Sequence, residues 1–228
     1  RDSLNVLLDL LRDFAEKSRF AAFFESHRDF YERLVQNTIN NIGARNYVSE
    51  LEFFYGKQQK GYNLVLAPLY NSVGFGNSLV YKTGELELLT VLGRHEMQDG
   101  LQTFGDEAYL KYMIRHEFSH PFVNPLTEKY WDLIKDYSEN YEAIPEKAKK
   151  TMCGDWQECI NEFTIRAITT HLAFLESDSL GAAWHDKETG RGVVNWDALM
   201  DKIQFYQQHR EDYPTFESFY PQMLEVFE

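Results

Sequence analysis

Strand-like sequence is confined to one block of this chain, and helical sequence flanks it on both sides. That layout constrains the fold more than any other feature. Across residues 3–40, Leu4, Leu7, Leu8, Leu11 and Phe14 recur at three- and four-residue steps, the period of a helix face. A second helix is expected over 27–39, before Asn40, Asn41 and Gly43 break the pattern. Residues 45–93 then become rich in β-branched and aromatic residues separated by glycines. Strands are expected at 62–66, 77–82 and 86–92, with KTGE as a tight hairpin turn. From Asp106 the helical period returns. Helices are expected from 106 to His120, over 126–141 with Thr127 as N-cap, over 155–176, from Asn195 as a cap, and over 215–227. The stretch from Gly181 to Gly192 reads as a polar loop.

The expected class is therefore α+β, with a small, mainly antiparallel sheet packed on helices. A length of 228 residues suits one domain with a substantial core, and two small lobes around a cleft is the alternative. The single-domain division is N-terminal helices at 1–44, sheet at 45–93, a central helical part at 106–180 and C-terminal helices at 195–228. The formal net charge of −13 repels phosphate backbones, and no Lys/Arg block offsets it, so no nucleic-acid partner is expected. No run of about 18 apolar residues exists, so no transmembrane segment is expected. Cys153 and Cys159 stand six apart. In one continuous helix their Cα atoms would lie about 9 Å apart, too far for a bridge. Free buried thiols are the expectation, and a bridge becomes feasible if the helix starts after Cys153. The chain begins at Arg1 without an initiator Met, which reads as a trimmed start from which a signal or anchor could have been removed.

The segment YMIRHEFSHPF, residues 112–122, carries the chemistry. On a helix, His116 and His120 share one face and can present two ring nitrogens to one tetrahedral ion. Glu117 sits about 100° around the helix, where its carboxylate reaches a water activated by that ion. It can accept the water's proton and pass it to a leaving amine. The competing reading is a solvated polar face. Tyr112, Met113, Ile114 and Phe118 make that reading the weaker one, because they give the helix an apolar setting. Pro121 removes a backbone bond and crowds the carbonyl of Glu117, so the helix is expected to kink or end at His120, with Asn124-Pro125 closing it.

A catalytic zinc needs a third protein ligand. No HExxHxxGxxH extension follows, so the ligand is expected on a later element. Glu162 is the first choice, because it interrupts the otherwise apolar run INEFTIRAI. Glu158, one turn earlier, is the runner-up ligand, or else an acceptor for a ligand histidine. Arg166, one turn beyond Glu162, either orients that carboxylate or forms a surface salt bridge.

HEFSH on one helix and NEFTIR on a later one resemble the gluzincins, zincin metallopeptidases whose third ligand is a helical glutamate. The run HEFSHPFVNP with NEFTIRAI is more closely similar to a domain family of unknown function from Bacteroidetes, typically exported, that carries HEFSH followed by FVNP. The similarity covers most of the chain from the strands onward. It implies a zincin-like fold, with a small sheet against the active-site helix and the glutamate helix beyond. It implies one Zn²⁺ held by His116, His120 and Glu162, with Glu117 as general base and acid. It also implies a peptide or protein substrate, bound along an edge strand at Asn77, Ser78, Leu79, Val80 and Tyr81, and an exported location. Two features depart from the pattern. Thermolysin-type gluzincins carry an Asp where this chain has Arg166, and Pro121 is unusual at its position. Oxyanion candidates are His171, His185 and Tyr213, unranked. A zinc-dependent peptidase is the leading reading. A non-catalytic binding module of the same fold and an amidase on cell-wall peptides are the alternatives.

Overall fold

The computed structural model describes residues 2–71, 74–98 and 100–228. The fold is α+β. Four helices come first: α1 (Asp2–Lys17), α2 (Phe20–Ser26), α3 (Arg28–Ile42) and α4 (Tyr47–Tyr55). Five strands follow: β1 (Gly61–Ala67), β2 (Gly74–Val80), β3 (Leu86–Gly93), β4 (Glu96–Gln98) and β5 (Leu101–Thr103). The remainder is helical: α5 (Glu107–Lys129), α6 (Trp131–Ile134), α7 (Asn140–Ala143), α8 (Glu146–Met152), α9 (Trp156–Glu176), α10 (Asp178–Arg191), α11 (Trp196–Gln208) and α12 (Phe216–Leu224).

Helix α9 is the centre of the core. Its Ile160, Phe163, Ile165, Ala167 and Ile168 are fully buried among α5, α11 and α12. Burying each large apolar side chain contributes roughly 1.5–3 kcal/mol. Asp155 caps α9 by accepting a hydrogen bond from the Glu158 amide. Starting the helix there leaves Cys153 outside it, free to fold back. Cys153 and Cys159 are bridged, with Cα atoms 4.9 Å apart, which corrects the expectation of free thiols.

The main sheet has the order β1-β3-β2. Strands β2 and β3 pair antiparallel through the expected turn, while β1 pairs parallel to β3. Among the described residues two of the three strand pairings are antiparallel, as expected, and β1 adds one parallel pairing at the edge of β3 away from β2. Strand β2 is an edge strand and packs on α5. A second, two-stranded antiparallel sheet joins β4 to β5. Helices α1 and α2 leave Leu4, Leu7, Leu11, Phe14 and Phe23 exposed, so their apolar period does not mark a buried face.

Several local expectations need correction. The first part of the 45–93 block is the helix α4, capped by Asn46 on the Ser49 amide. Helix α5 runs through both Pro121 and Pro125 to Lys129. The carbonyl that Pro121 leaves without an N–H donor is that of Glu117, and β2 covers it closely. A Cβ added at Gly76 would lie 2.0 Å from the Glu117 carbonyl oxygen. Only glycine fits there, and its Cα–H can face the carbonyl. Thr127 lies inside α5 and is no cap; its buried hydroxyl bonds Asn161 and Tyr220. Residues 181–191 belong to helix α10 where a loop was expected. Asn195 precedes α11, but its side chain donates to the Val226 carbonyl and does not cap the helix. Thr215 does cap α12, in a capping box with Ser218. No described helix is long and apolar enough to cross a membrane.

Candidate metal centre

Helices α5 and α9 pack side by side and bring His116, His120 and Glu162 together, each offering one ligand atom within 4.8 Å of the others. His116 Nε2 lies 3.6 Å from Glu162 Oε2, and His120 Nε2 lies 3.4 Å from Glu162 Oε1. Tetrahedral bonds of ~2.0–2.1 Å to zinc place donor atoms roughly 3.4 Å apart, so both separations suit one ion. His120 Nδ1 donates to Asn124 Oδ1 at 3.3 Å. An amide oxygen only accepts, so this bond places the proton on Nδ1 and leaves the Nε2 lone pair toward the cluster. His116 is 5 % exposed, and its Nδ1 has no protein partner.

Glu117 stands beside the three. Its Oε2 is 3.8 Å from His120 Nε2, and that oxygen is buried without a protein partner. A buried, unsatisfied carboxylate oxygen is costly, and a bound ion with its water shell relieves that cost. The donor set and this orphaned oxygen together fit a zinc ion. Burial pushes the Glu117 pKa up and Glu162 adds to the rise, while His116 and a hydrogen bond from the Gly76 amide oppose it. Burial, with His116 beside it, pushes the His120 pKa down to about 4, so its ring is neutral, as a metal ligand must be. Burial alone would raise the Glu162 pKa, but His116, Arg166 and His120 hold its carboxyl well below the usual range.

Arg166 does orient Glu162. Its Nη2 donates to Glu162 Oε2 at 2.8 Å, and its Nη1 donates to Glu188 Oε2 at 3.1 Å. Glu188, on α10, is 0 % exposed and also accepts from the Tyr112 hydroxyl at 3.0 Å and from Arg191 Nη1 at 2.6 Å. A chain of charge-assisted bonds thus runs from Glu162 into the wall of the cleft. Glu158 does not join the cluster. It is exposed near the start of α9 and accepts from the Gly154 amide.

The centre opens into a cleft of about 510 Å³ between β2, α5 and α10, a size that holds a few residues of a peptide. The β2 residues nearest Glu117 are Gly74 and Gly76, at the start of the strand. Asn77, Ser78, Leu79 and Val80 continue the same edge, and Tyr81 lies in the turn beyond it. The oxyanion candidates fall elsewhere. His171 is buried with its ring 6.4 Å from that of Phe54, His185 packs near Phe174 and Trp196, and Tyr213 packs on Phe219. None of the three lines the cleft, whereas Tyr109, Tyr112 and Arg191 do.

Sequence reasoning missed Gly74, Gly76, Tyr112, Glu188 and Arg191. The alternate glycines of GFG do mark a strand face that another backbone approaches. Trp184, Glu188 and Arg191 follow helical spacing, which the glycine-bounded loop reading hid.

A family described as "Domain of unknown function (DUF4932)" matches residues 2–226. No curated protein and no solved structure matches the chain.

Proposed function

The chain belongs to the DUF4932 family, and from the geometry of its own cleft we propose that it is a zinc-dependent peptidase of the gluzincin type. The observation that carries this reading is the buried, partnerless Glu117 Oε2 beside a His116–His120–Glu162 cluster of metal-ligating spacing. A purely structural metal site has no use for such a carboxylate.

His116, His120 and Glu162 would hold the ion. When bound, zinc supplies a Lewis acid that polarises the scissile carbonyl and makes a water nucleophilic near neutral pH. Glu117 takes a proton onto Oε2 as the water attacks, then delivers it to the departing amine. Burial raises its pKa, which makes the carboxylate a stronger acceptor in the first transfer. Arg166, itself held by Glu188, fixes the Glu162 carboxylate, and Asn124 fixes the His120 tautomer. A peptide lying along the free edge of β2 would hydrogen-bond its main chain there and cross the centre at Gly74 and Gly76. The Cys153–Cys159 bridge supports an exported protein, since disulfides persist in oxidising compartments.

Glu117→Gln tests the reading. The variant keeps its zinc and loses peptide hydrolysis by about 10²–10⁴-fold, the usual worth of a positioned general base. Wild-type hydrolysis in the variant would remove Glu117 from the mechanism.

A further inference from the structure

Helix α10 puts Trp184, Lys187, Glu188 and Arg191 on one stripe, at the i, i+3, i+4 and i+7 steps of a helix face. Trp184, Lys187 and Arg191 line the same cleft as His116, Glu117 and Glu162. Glu188 is buried behind them. The Lys187 ammonium lies 4.0 Å from the centre of the Trp184 ring, which anchors its stem against the wall. Among the described residues no carboxylate is ion-paired with it. Arg191 gives Nη1 to Glu188 and makes no other hydrogen bond among the described residues.

Two like charges at i and i+4 work against a helix, so helix stability does not explain this pair. The cost is visible at Lys187, whose pKa is lowered by burial and then by the neighbouring Arg191. Across the cleft Arg166, Lys187 and Arg191 balance Glu117, Glu162 and Glu188 in number, but none of these carboxylates is ion-paired with Lys187. Glu188 already accepts from Arg166, Arg191 and Tyr112, and Glu162 is engaged by Arg166 and the histidines. A cation bound at the centre would tip that balance to net positive. In a chain with a net charge of −13, the cleft with such a cation in place would be a local cationic site, and it would attract anions. An ammonium and a guanidinium fork side by side suit the two oxygens of one carboxylate.

We propose that Lys187 and Arg191 form a carboxylate subsite on the α10 wall of the cleft, so that preferred peptides carry a negative charge close to the scissile bond. The inference rests on the peptidase reading for its substrate and adds the substrate class. The carboxylate can be a free C-terminus or an Asp or Glu side chain.

The test measures peptide binding by calorimetry to the zinc-loaded Glu117→Gln protein, with and without Lys187→Met or Arg191→Gln. Three N-acetylated peptides are compared: one with neutral side chains and a free C-terminus, its C-terminal amide, and the amide with one Glu added. At least one charged peptide binds tenfold or more tightly than the neutral amide, and which one does identifies the source of the carboxylate. Lys187→Met reduces that preference to threefold or less. Lys187 is exposed, so this variant folds normally and its melting temperature checks that. Equal binding of the three peptides, binding by none of them, or an undiminished preference in Lys187→Met overturns the subsite. Hydrolysis of the same peptides by the wild type is scored separately. Selective binding without cleavage sinks the peptidase reading and leaves the subsite standing.

Discussion

Arg115 and Arg166 are each buried against two glutamates, and the two clusters end differently. Arg115 is 1 % exposed and donates to Glu50 at 2.8 and 3.1 Å and to Glu176 at 2.6 Å. Glu50 is also paired with Arg45, and Glu176 with Lys111. That network ties α4, α5 and the end of α9 together and closes on itself. Arg166 donates to Glu162 and Glu188, but its Nε is left without a partner, as is Glu117 Oε2 nearby. Glu162 turns its oxygens toward two histidine nitrogens. Adjacent residues on one helix, Arg115 and His116, therefore serve opposite purposes. A buried charge cluster that satisfies itself is a staple. One that leaves polar atoms facing a cleft is a place where something binds.

The contrast can be broken from either side. Arg115→Met removes the donor that Glu50 and Glu176 share and leaves them Arg45 and Lys111, and losing a buried hydrogen-bond partner costs about 1–3 kcal/mol. Denaturant titration should show that loss while zinc affinity of the folded fraction stays at the wild-type value. A variant that loses zinc but not stability would place Arg115 in the site. Glu188→Gln should do the reverse: chelator competition should show zinc bound about 10–100-fold more weakly, with a smaller change in stability than Arg115→Met. Unchanged zinc affinity would reduce Glu188 to a structural contact.

The smallest expected effect concerns acid. Burial alone would raise the Glu176 pKa, but Lys111 and Arg115 bring it below the usual 4.5. A carboxyl depressed in the folded state stabilises above its unfolded pKa, and that contribution is lost as pH falls through the folded value. Stability should therefore decline as pH drops below about 4.5, and more steeply in wild type than in Arg115→Met. Equal slopes would show that the network does not govern this limb.

Much of the centre was legible because its signals are local. HEFSH fixes two histidines and a glutamate on one helix whatever the rest of the chain does, and Glu162 stood out as a lone carboxylate in an apolar run. The wall opposite was not legible. Helix α10 buries Glu188 and presents Lys187 and Arg191 to a polar cleft, so it lacks the apolar stripe by which a helix is recognised. Its glycines, Gly181 and Gly190, then read as loop signals. Pro121 misled for a related reason. Proline ends a helix when the freed carbonyl has no other neighbour, and here Gly76 of a distant strand supplies one. The disulfide turned on where α9 begins, which Asp155 decides by capping the Glu158 amide.

Metal content tests the centre most directly. After zinc is supplied and excess removed by dialysis, elemental analysis should find about one zinc per wild-type chain, the complement of a three-ligand mononuclear site. His116→Ala and Glu162→Ala should retain little, and Glu158→Ala should stay at the wild-type value. A wild-type chain without zinc, or a Glu158→Ala chain that loses more than Glu162→Ala, would contradict the ligand set and the chemistry built on it.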